Sequence, residues 1–118
     1  MILADTSVWV DHLRDGNERL AGFLSDGVVL CHPFIIGELA CGNLKNRTKI
    51  LGMLSSLPSI SVAEHDEVLH FISRNKFQGK GVGWIDAHLL ASTFLAKSRI
   101  WTLDKSLLKI AQDLKVSI

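Results

Sequence analysis

Four acidic side chains lie at positions where a carboxylate needs an explanation. Asp5 and Asp104 each directly follow a short apolar run, and such runs are typical of buried strands. Glu38 and Asp86 lie inside apolar stretches with helical spacing. Four carboxylates from distant parts of one chain, two after strands and two in apolar helices, suggest a single acidic cluster.

Each of these acids also has a simpler structural explanation. Asp is a favoured N-cap residue, so Asp5 and Asp104 could each begin a helix. Glu38 could be an exposed residue on a helix with an imperfect apolar stripe, although its helical neighbours carry no charge. Those neighbours are Phe34, Ile35, Cys41 and Gly42.

The helix dipole favours an acid in a first helical turn, which would account for Asp86. It does not account for the face that Asp86 shares with Leu89 and Leu90. Acidic side chains are almost never fully buried without a partner, so both Glu38 and Asp86 point towards a pocket.

An acidic cluster of this kind predicts a hard divalent cation. Carboxylates a few ångströms apart raise one another's pKa values, so the cluster cannot stay fully ionised on its own. Mg²⁺ and Mn²⁺ prefer carboxylate and water oxygens, and either ion would relieve the repulsion. Zinc fits less well, because no pair of His or Cys residues has the spacing of zinc ligands.

Composition limits the class of protein that can carry such a site. The 118 residues predict a single domain, 1–118, with enough apolar residues for one core. No apolar run is long enough to cross a membrane, and the N-terminal residues do not resemble a signal peptide. Two cysteines cannot form a disulfide framework, so we expect a cytoplasmic protein.

Net charge becomes informative once the four acids are set apart. The chain has 13 Lys and Arg against 12 Asp and Glu, a balance of +1. An ordinary nucleic-acid-binding protein is more basic. Without the four acids, eight acidic residues face thirteen basic ones. An acidic, metal-filled pocket on a basic body suits a phosphate-rich substrate.

The elements that must position the acids alternate between strand and helix. Apolar runs predict strands at 2–4, 28–31 and 100–103, and 60–62 and 116–118 could add two more. Helices are expected at 8–13, 20–24, 33 to about 44, 47–57, 65–74, 84–97 and 105–114. In the helix at 65–74, the residues expected to face inward are Val68, Leu69, Phe71 and Ile72. This alternation is typical of a parallel sheet covered on both faces. Such sheets bind ligands at the carboxyl ends of their strands, where Asp5 and Asp104 lie.

At these residues the sequence resembles the PIN domain, and within it the VapC-type toxins of bacterial toxin–antitoxin systems. The resemblance covers essentially the whole chain. Each segment alone is weak, but their order and spacing are specific. The segments are MILADTSVWV at 1–10, IGELA at 36–40 followed by Gly42, GWIDAHLLAS at 83–92, and TLD at 102–104.

The resemblance implies a fold, an activity and partners. The fold would be an α/β, three-layer α/β/α sandwich with a central parallel sheet. The activity would be Mg²⁺- or Mn²⁺-dependent endonucleolytic cleavage of RNA. The partners would be a second copy of the chain, as a homodimer, and a small VapB-type antitoxin whose tail blocks the site.

The resemblance also implies which residues act. The catalytic and metal-binding acids map onto Asp5, Glu38, Asp86 and Asp104, and polar residues that support the acids map onto Ser7 and Thr102. We expect Asp5 and Asp86 to bind the principal ion directly. Asp104 and Glu38 would bind through water or hold a second ion. His88 departs from the pattern, because many relatives have an aliphatic residue there.

Weaker signals concern the RNA. Lys76 and Lys80 lie in a glycine-rich loop just before Asp86 and could contact phosphates, although the loop could equally be an ordinary solvated connection. Trp9, Trp84 and Trp101 could stack on bases, but Trp9 and Trp101 are expected in the core. Cys31 ends an apolar strand and is expected to be inert. Four histidines are expected to be surface or packing residues: His12, His65, His70 and His88.

Three other classes of protein compete with a nuclease. An aspartyl-phosphate phosphohydrolase would need a second acid two residues after Asp5, where this chain has Ser7. A receiver domain would need an aspartate after a mid-chain strand, where only Glu64 occurs. A catalytically inactive PIN-like module that binds RNA or protein stays possible. The presence of all four acids favours the active enzyme.

Overall fold

Three short parallel strands form the centre of the molecule. The structure, a computed structural model, describes all 118 residues. The strands lie in the order β2–β1–β3, and β1 pairs in parallel with both neighbours. Their bounds are β1 Ile2–Ala4, β2 Val29–Leu30 and β3 Arg99–Trp101. Leu3 of β1 lies between Leu30 and Ile100 in the register, so the middle strand is apolar and buried.

Seven helices flank the sheet, as the alternating pattern predicts, and the architecture agrees with a three-layer α/β/α fold. The helices are α1 Thr6–Asp15, α2 Glu18–Ser25, α3 Pro33–Ala40, α4 Arg47–Ser56, α5 His65–Asn75, α6 Trp84–Leu95 and α7 Lys105–Asp113. Proline is well placed at the start of α3, because N–H groups in a first helical turn have no partner within the helix and proline lacks an N–H. The consecutive residues 87–93 of α6 are all buried, which makes α6 the most enclosed helix.

Two predicted strands do not form. Runs 60–62 and 116–118 make only isolated bridges, Cys31 with Ser59 and Ile100 with Ser117. In the first, Ile60 donates its N–H to the Cys31 carbonyl at 2.9 Å, and the chain then turns into α5. Ile60 and Val116 are both buried, which accounts for the apolar character of the two runs without a continuous ladder of strand hydrogen bonds.

Two further details differ from the sequence-based expectation. The helix that begins at Pro33 ends at Ala40 rather than near 44, and Gly42 closes its last turn by donating to the Leu39 carbonyl. Leu69 was expected to face inward on α5, but its side chain is 47% exposed. Val68 and Phe71 carry the inward face of that helix.

The core accounts for two of the three tryptophans. Trp9 is fully buried and Trp101 is 8% exposed, which confirms both as core residues. Cys31 is buried, and burial raises the pKa of its thiol, as expected for an unreactive cysteine.

No helix in the structure combines the length and the apolar character that crossing a membrane would require.

Candidate active site

Three of the predicted acids begin or follow elements at the carboxyl end of the sheet. Asp5 follows β1 and caps α1, Asp104 caps α7 shortly after β3, and Asp86 lies in the first turn of α6. Burial first, and then the charges of Asp5, Asp104 and Glu38, raise the pKa of Asp86 to about 6. The charges of the other three acids therefore act on the Asp86 carboxylate.

Asp5 lies deepest in the site and is held by three donors. Its Oδ1 accepts from the Ser7 hydroxyl at 2.5 Å and from the Val8 N–H at 3.2 Å, and its Oδ2 accepts from the Thr102 hydroxyl at 2.5 Å. The side chain is only 4% exposed. Burial raises the pKa of Asp5 in spite of these hydrogen bonds, which act in the opposite direction. Both carboxylate oxygens are therefore fixed in orientation.

Ser7 and Thr102 also connect the ends of β1 and β3. The Ser7 hydroxyl accepts from the Leu103 N–H at 2.9 Å, and the Thr102 hydroxyl accepts from the Asp104 N–H at 3.0 Å. Asp104 in turn accepts from the N–H of Leu107 at 2.9 Å. Capping by Asp5 and Asp104 is thus a real structural role, and the same caps orient both carboxylates at one edge of the sheet.

Glu38 lies at the rim rather than at the bottom of the site. Its side chain is exposed, and its Oε1 accepts from the Thr6 hydroxyl at 2.6 Å. Because Thr6 directly follows Asp5, this bond ties α3 to the first turn of α1. Glu38 and Thr6 also border an open groove of about 650 Å³ between α1, α3 and α4. Arg14 and Lys45, which the sequence did not single out, line the same groove.

The acids fit a hard cation by chemistry more than by their present spacing. No three His, Cys, Asp or Glu side chains are gathered tightly enough to enclose a metal ion. The donor set contains only carboxylate and hydroxyl oxygens, which is the set that Mg²⁺ and Mn²⁺ prefer. The residues therefore fit such an ion.

The lysine loop lies beside the same edge of the sheet. Gly81 adopts a left-handed backbone conformation with φ of 81°, and a Cβ atom there would meet the Ser106 hydroxyl at 3.2 Å. Ser106 lies two residues after Asp104, so the loop that carries Lys80 packs against the start of α7. Lys76 and Lys80 are both exposed.

The histidines include two that the sequence undervalued. His32 is fully buried directly after β2, where its Nδ1 accepts from the Phe34 N–H at 3.0 Å. Burial and then the charge of His88 lower the pKa of His32 to about 4, so this ring is neutral at physiological pH. His88 is also buried, and its ring lies 6.4 Å from that of His32. The spacing of Trp84, His88 and Ser92 on one helix face could have signalled this cluster.

Comparison with known proteins decides the family. The family model of the PIN domain matches residues 2–113. The chain belongs to the PIN domain family. This confirms the resemblance that the acidic motifs indicated, and it agrees with the parallel sheet and flanking helices.

Curated relatives of this PIN domain carry a more specific name. Two proteins named Ribonuclease VapC32, from the CDC 1551/Oshkosh and H37Rv strains of Mycobacterium tuberculosis, are each 46% identical over 108 residues. The match covers 91% of this chain and 87% of each relative. The resemblance to VapC-type toxins is confirmed at the level of the family.

Thr102→Val is expected to destabilise this PIN domain by about 1–3 kcal/mol, because valine leaves a buried carboxylate oxygen of Asp5 without its donor. Urea denaturation at pH 7 measures the change in the free energy of unfolding. Thr102→Ser keeps the hydroxyl and is expected to retain most of the stability. A Thr102→Val variant as stable as the wild type would show that the hydroxyl does not stabilise this position.

Proposed function

We propose that this PIN domain, residues 1–118, is a metal-dependent endoribonuclease and the toxin of a toxin–antitoxin pair. The observation that carries the proposal is the placement of Asp5 and Asp104 at the carboxyl ends of neighbouring parallel strands, where the Ser7 and Thr102 hydroxyls hold the Asp5 carboxylate. Burial and three neighbouring carboxylates also raise the pKa of Asp86 to about 6. Perturbed carboxylates at the carboxyl edge of a parallel sheet are typical of a functional site. The 46% identity to proteins named ribonucleases supports RNA as the substrate.

The four acids would have different roles in metal binding, according to how buried each one is. Asp5 and Asp86 would hold Mg²⁺ or Mn²⁺ directly, and the more exposed Asp104 and Glu38 would act through water or a second ion. A bound divalent ion lowers the pKa of water and offsets charge on phosphoryl oxygens. Ser7 and Thr102 would fix the carboxylate of Asp5 for that task, since each donates to a different oxygen.

The surfaces around the acids suit the proposed partners. The groove at Glu38 combines apolar walls with Arg14 and Lys45, and it opens at the rim of the site. A VapB-type antitoxin with an extended tail would block the acids by lying in this groove. Lys76 and Lys80 would contact RNA phosphates from the loop that packs against Ser106 at the start of α7. Exposed Phe94 and Leu95 on α6 offer an apolar face for a homodimer. We place the protein in the cytoplasm, where its RNA substrates lie.

Incubation of the purified chain with total RNA and Mg²⁺ is expected to yield discrete RNA fragments on a denaturing gel. Asp86→Asn, prepared in the same way, controls for contaminating ribonucleases and is expected to yield none. A chain that binds RNA in an electrophoretic mobility assay without cleaving it would instead be an inactive PIN-like binding module.

A further inference from the structure

A row of aromatic rings connects three helices beside the acids. His65 at the start of α5 lies 4.9 Å from Trp84, measured between ring centroids, and Trp84 lies 4.7 Å from His88. His88 lies 4.7 Å from Phe34, which begins α3. We call His65, Trp84, His88 and Phe34 the aromatic row. The proposed cleavage does not use any of these side chains.

The row is joined to the acidic site through two helices. Trp84 lies two residues before Asp86 on α6, and Phe34 lies one helical turn before Glu38 on α3. Two of the four acids therefore share rigid elements with the row. A molecule held by the row would be placed at a fixed position relative to those acids.

Trp84 differs from the other tryptophans in its exposure. Its side chain is 38% exposed, whereas Trp9 and Trp101 are core residues. His65 is exposed and Phe34 is half-buried, so the row reaches the surface at more than one ring. A large ring that solvent reaches beside an active site can take a flat ligand against it.

His88 supplies a polar atom to the row. The residue is 5% exposed, and its Nδ1 is buried without a hydrogen-bond partner. Most buried polar atoms in proteins have a partner, so an orphaned ring nitrogen next to an exposed tryptophan points to a group that arrives with a ligand. Ser92, one turn further along α6, does not pair with His88: its hydroxyl accepts from the Ala63 N–H at 3.1 Å and from Nε2 of His32 at 3.4 Å.

We propose that the aromatic row binds one nucleobase of the RNA next to the scissile phosphate. The base would stack on the exposed part of Trp84, and the His88 ring would turn its unpaired Nδ1 towards a polar group on the base edge. This inference rests on the proposed ribonuclease function and adds a determinant of sequence preference to it. Unstacked bases that pack on aromatic rings and hydrogen-bond through their edges are the usual basis of sequence-specific RNA recognition.

The charges around the row favour a base over a phosphate. Glu64, Asp66 and Glu67 surround His65 at the start of α5, and Asp86 lies near Trp84. A phosphate would be repelled by these carboxylates, whereas a base carries no charge. The basic side chains that suit phosphates lie elsewhere, in the groove at Arg14 and in the loop at Lys80.

Tryptophan fluorescence tests the contact without cleavage. A short single-stranded RNA in EDTA is expected to quench the emission of the wild-type chain, because Trp84 is the exposed tryptophan. Trp84→Phe is expected to lose the quenching while keeping RNA affinity, measured by anisotropy of labelled RNA. Binding by the wild type with no quenching overturns the proposal.

Cleavage kinetics test the role of the contact. Trp84→Leu is expected to raise KM about ten- to a hundredfold with little change in kcat, and Trp84→Phe is expected to stay near wild type. An RNA that lacks one base beside the cleavage site is expected to raise the KM of the wild type by a similar factor. The same RNA is expected to leave the KM of Trp84→Leu almost unchanged.

Two outcomes contradict the base site while leaving the ribonuclease standing. One is wild-type KM in Trp84→Leu, and the other is a lower kcat at unchanged KM, which would make Trp84 a residue that positions Asp86. Weakened binding of a protein antitoxin with unchanged RNA binding would assign the row to that partner and also overturn the proposal. A wild type that neither binds nor cleaves RNA would remove the proposed function itself.

Discussion

Asp5→Asn is expected to lower RNA cleavage by at least about a thousandfold, because it removes the most buried charge from the proposed cation site. Asparagine has nearly the same shape as aspartate but lacks its negative charge. Initial rates on a defined RNA, measured at saturating Mg²⁺, give the size of the loss.

The fold of this variant is expected to remain intact. Asparagine is a good N-cap, so its side-chain oxygen can still accept from the Val8 N–H at the start of α1. Burial raises the pKa of Asp5 above its unfolded value, so the folded chain binds more protons than the unfolded chain. Ionising the buried Asp5 carboxyl therefore lowers the stability of the wild type as pH rises through the folded pKa. The variant has no carboxyl there and does not lose this stability. Thermal unfolding at pH 7 is therefore expected to show a stable variant.

Asp15→Asn provides the matched control. Asp15 ends the same helix, is exposed and lies away from the acids, so this change removes one negative charge with no expected loss of cleavage. A folded Asp5→Asn protein that cut RNA at the parental rate would show that Asp5 does not bind the ion. Equal losses in both variants would point to net charge rather than to the site.

The sequence predicted the residues of the acidic site more accurately than it predicted the strands and helices around them. Asp5 and Asp104 follow apolar runs that become neighbouring strands, and parallel pairing brings their carboxyl ends together. Asp86 was recognisable because its face is apolar, and the structure shows it half-buried with a raised pKa. The uncharged neighbours of Glu38 predict an acid that is buried or at the lip of a pocket. Glu38 borders the groove and is exposed, so an uncharged helix face does not by itself bury an acid.

The sequence could not predict features that depend on contacts between distant elements. His65 and Trp84 are 19 positions apart in the numbering, and nothing in either segment predicts that their rings meet. The orphaned nitrogen of His88 depends on the same packing. The run at 60–62 looked like a strand because local pattern cannot distinguish one buried side chain from a continuous ladder.

Removal of divalent cations is the second large effect that we expect. Excess EDTA is expected to reduce RNA cleavage at least about a thousandfold, and added Mn²⁺ or Mg²⁺ is expected to restore it. Recovery is expected to depend on pH, because Asp86 must be ionised to bind a cation and its pKa is about 6. Below that pH, the affinity for Mn²⁺ is expected to fall about tenfold per pH unit, which calorimetric titration at pH 5 to 7 can measure.

The cause of the raised pKa supplies the control for this prediction. Asp104→Asn removes one of the charges that raise the pKa of Asp86, so the decline in Mn²⁺ affinity is expected to begin at a lower pH. Asparagine keeps the helix cap to the Leu107 N–H, which protects the start of α7. Asp113→Asn at the other end of α7 is expected to leave the pH dependence unchanged. An unchanged midpoint in Asp104→Asn would mean that the charge of Asp104 does not raise the pKa of Asp86, and Asp104 would then not belong to the same site.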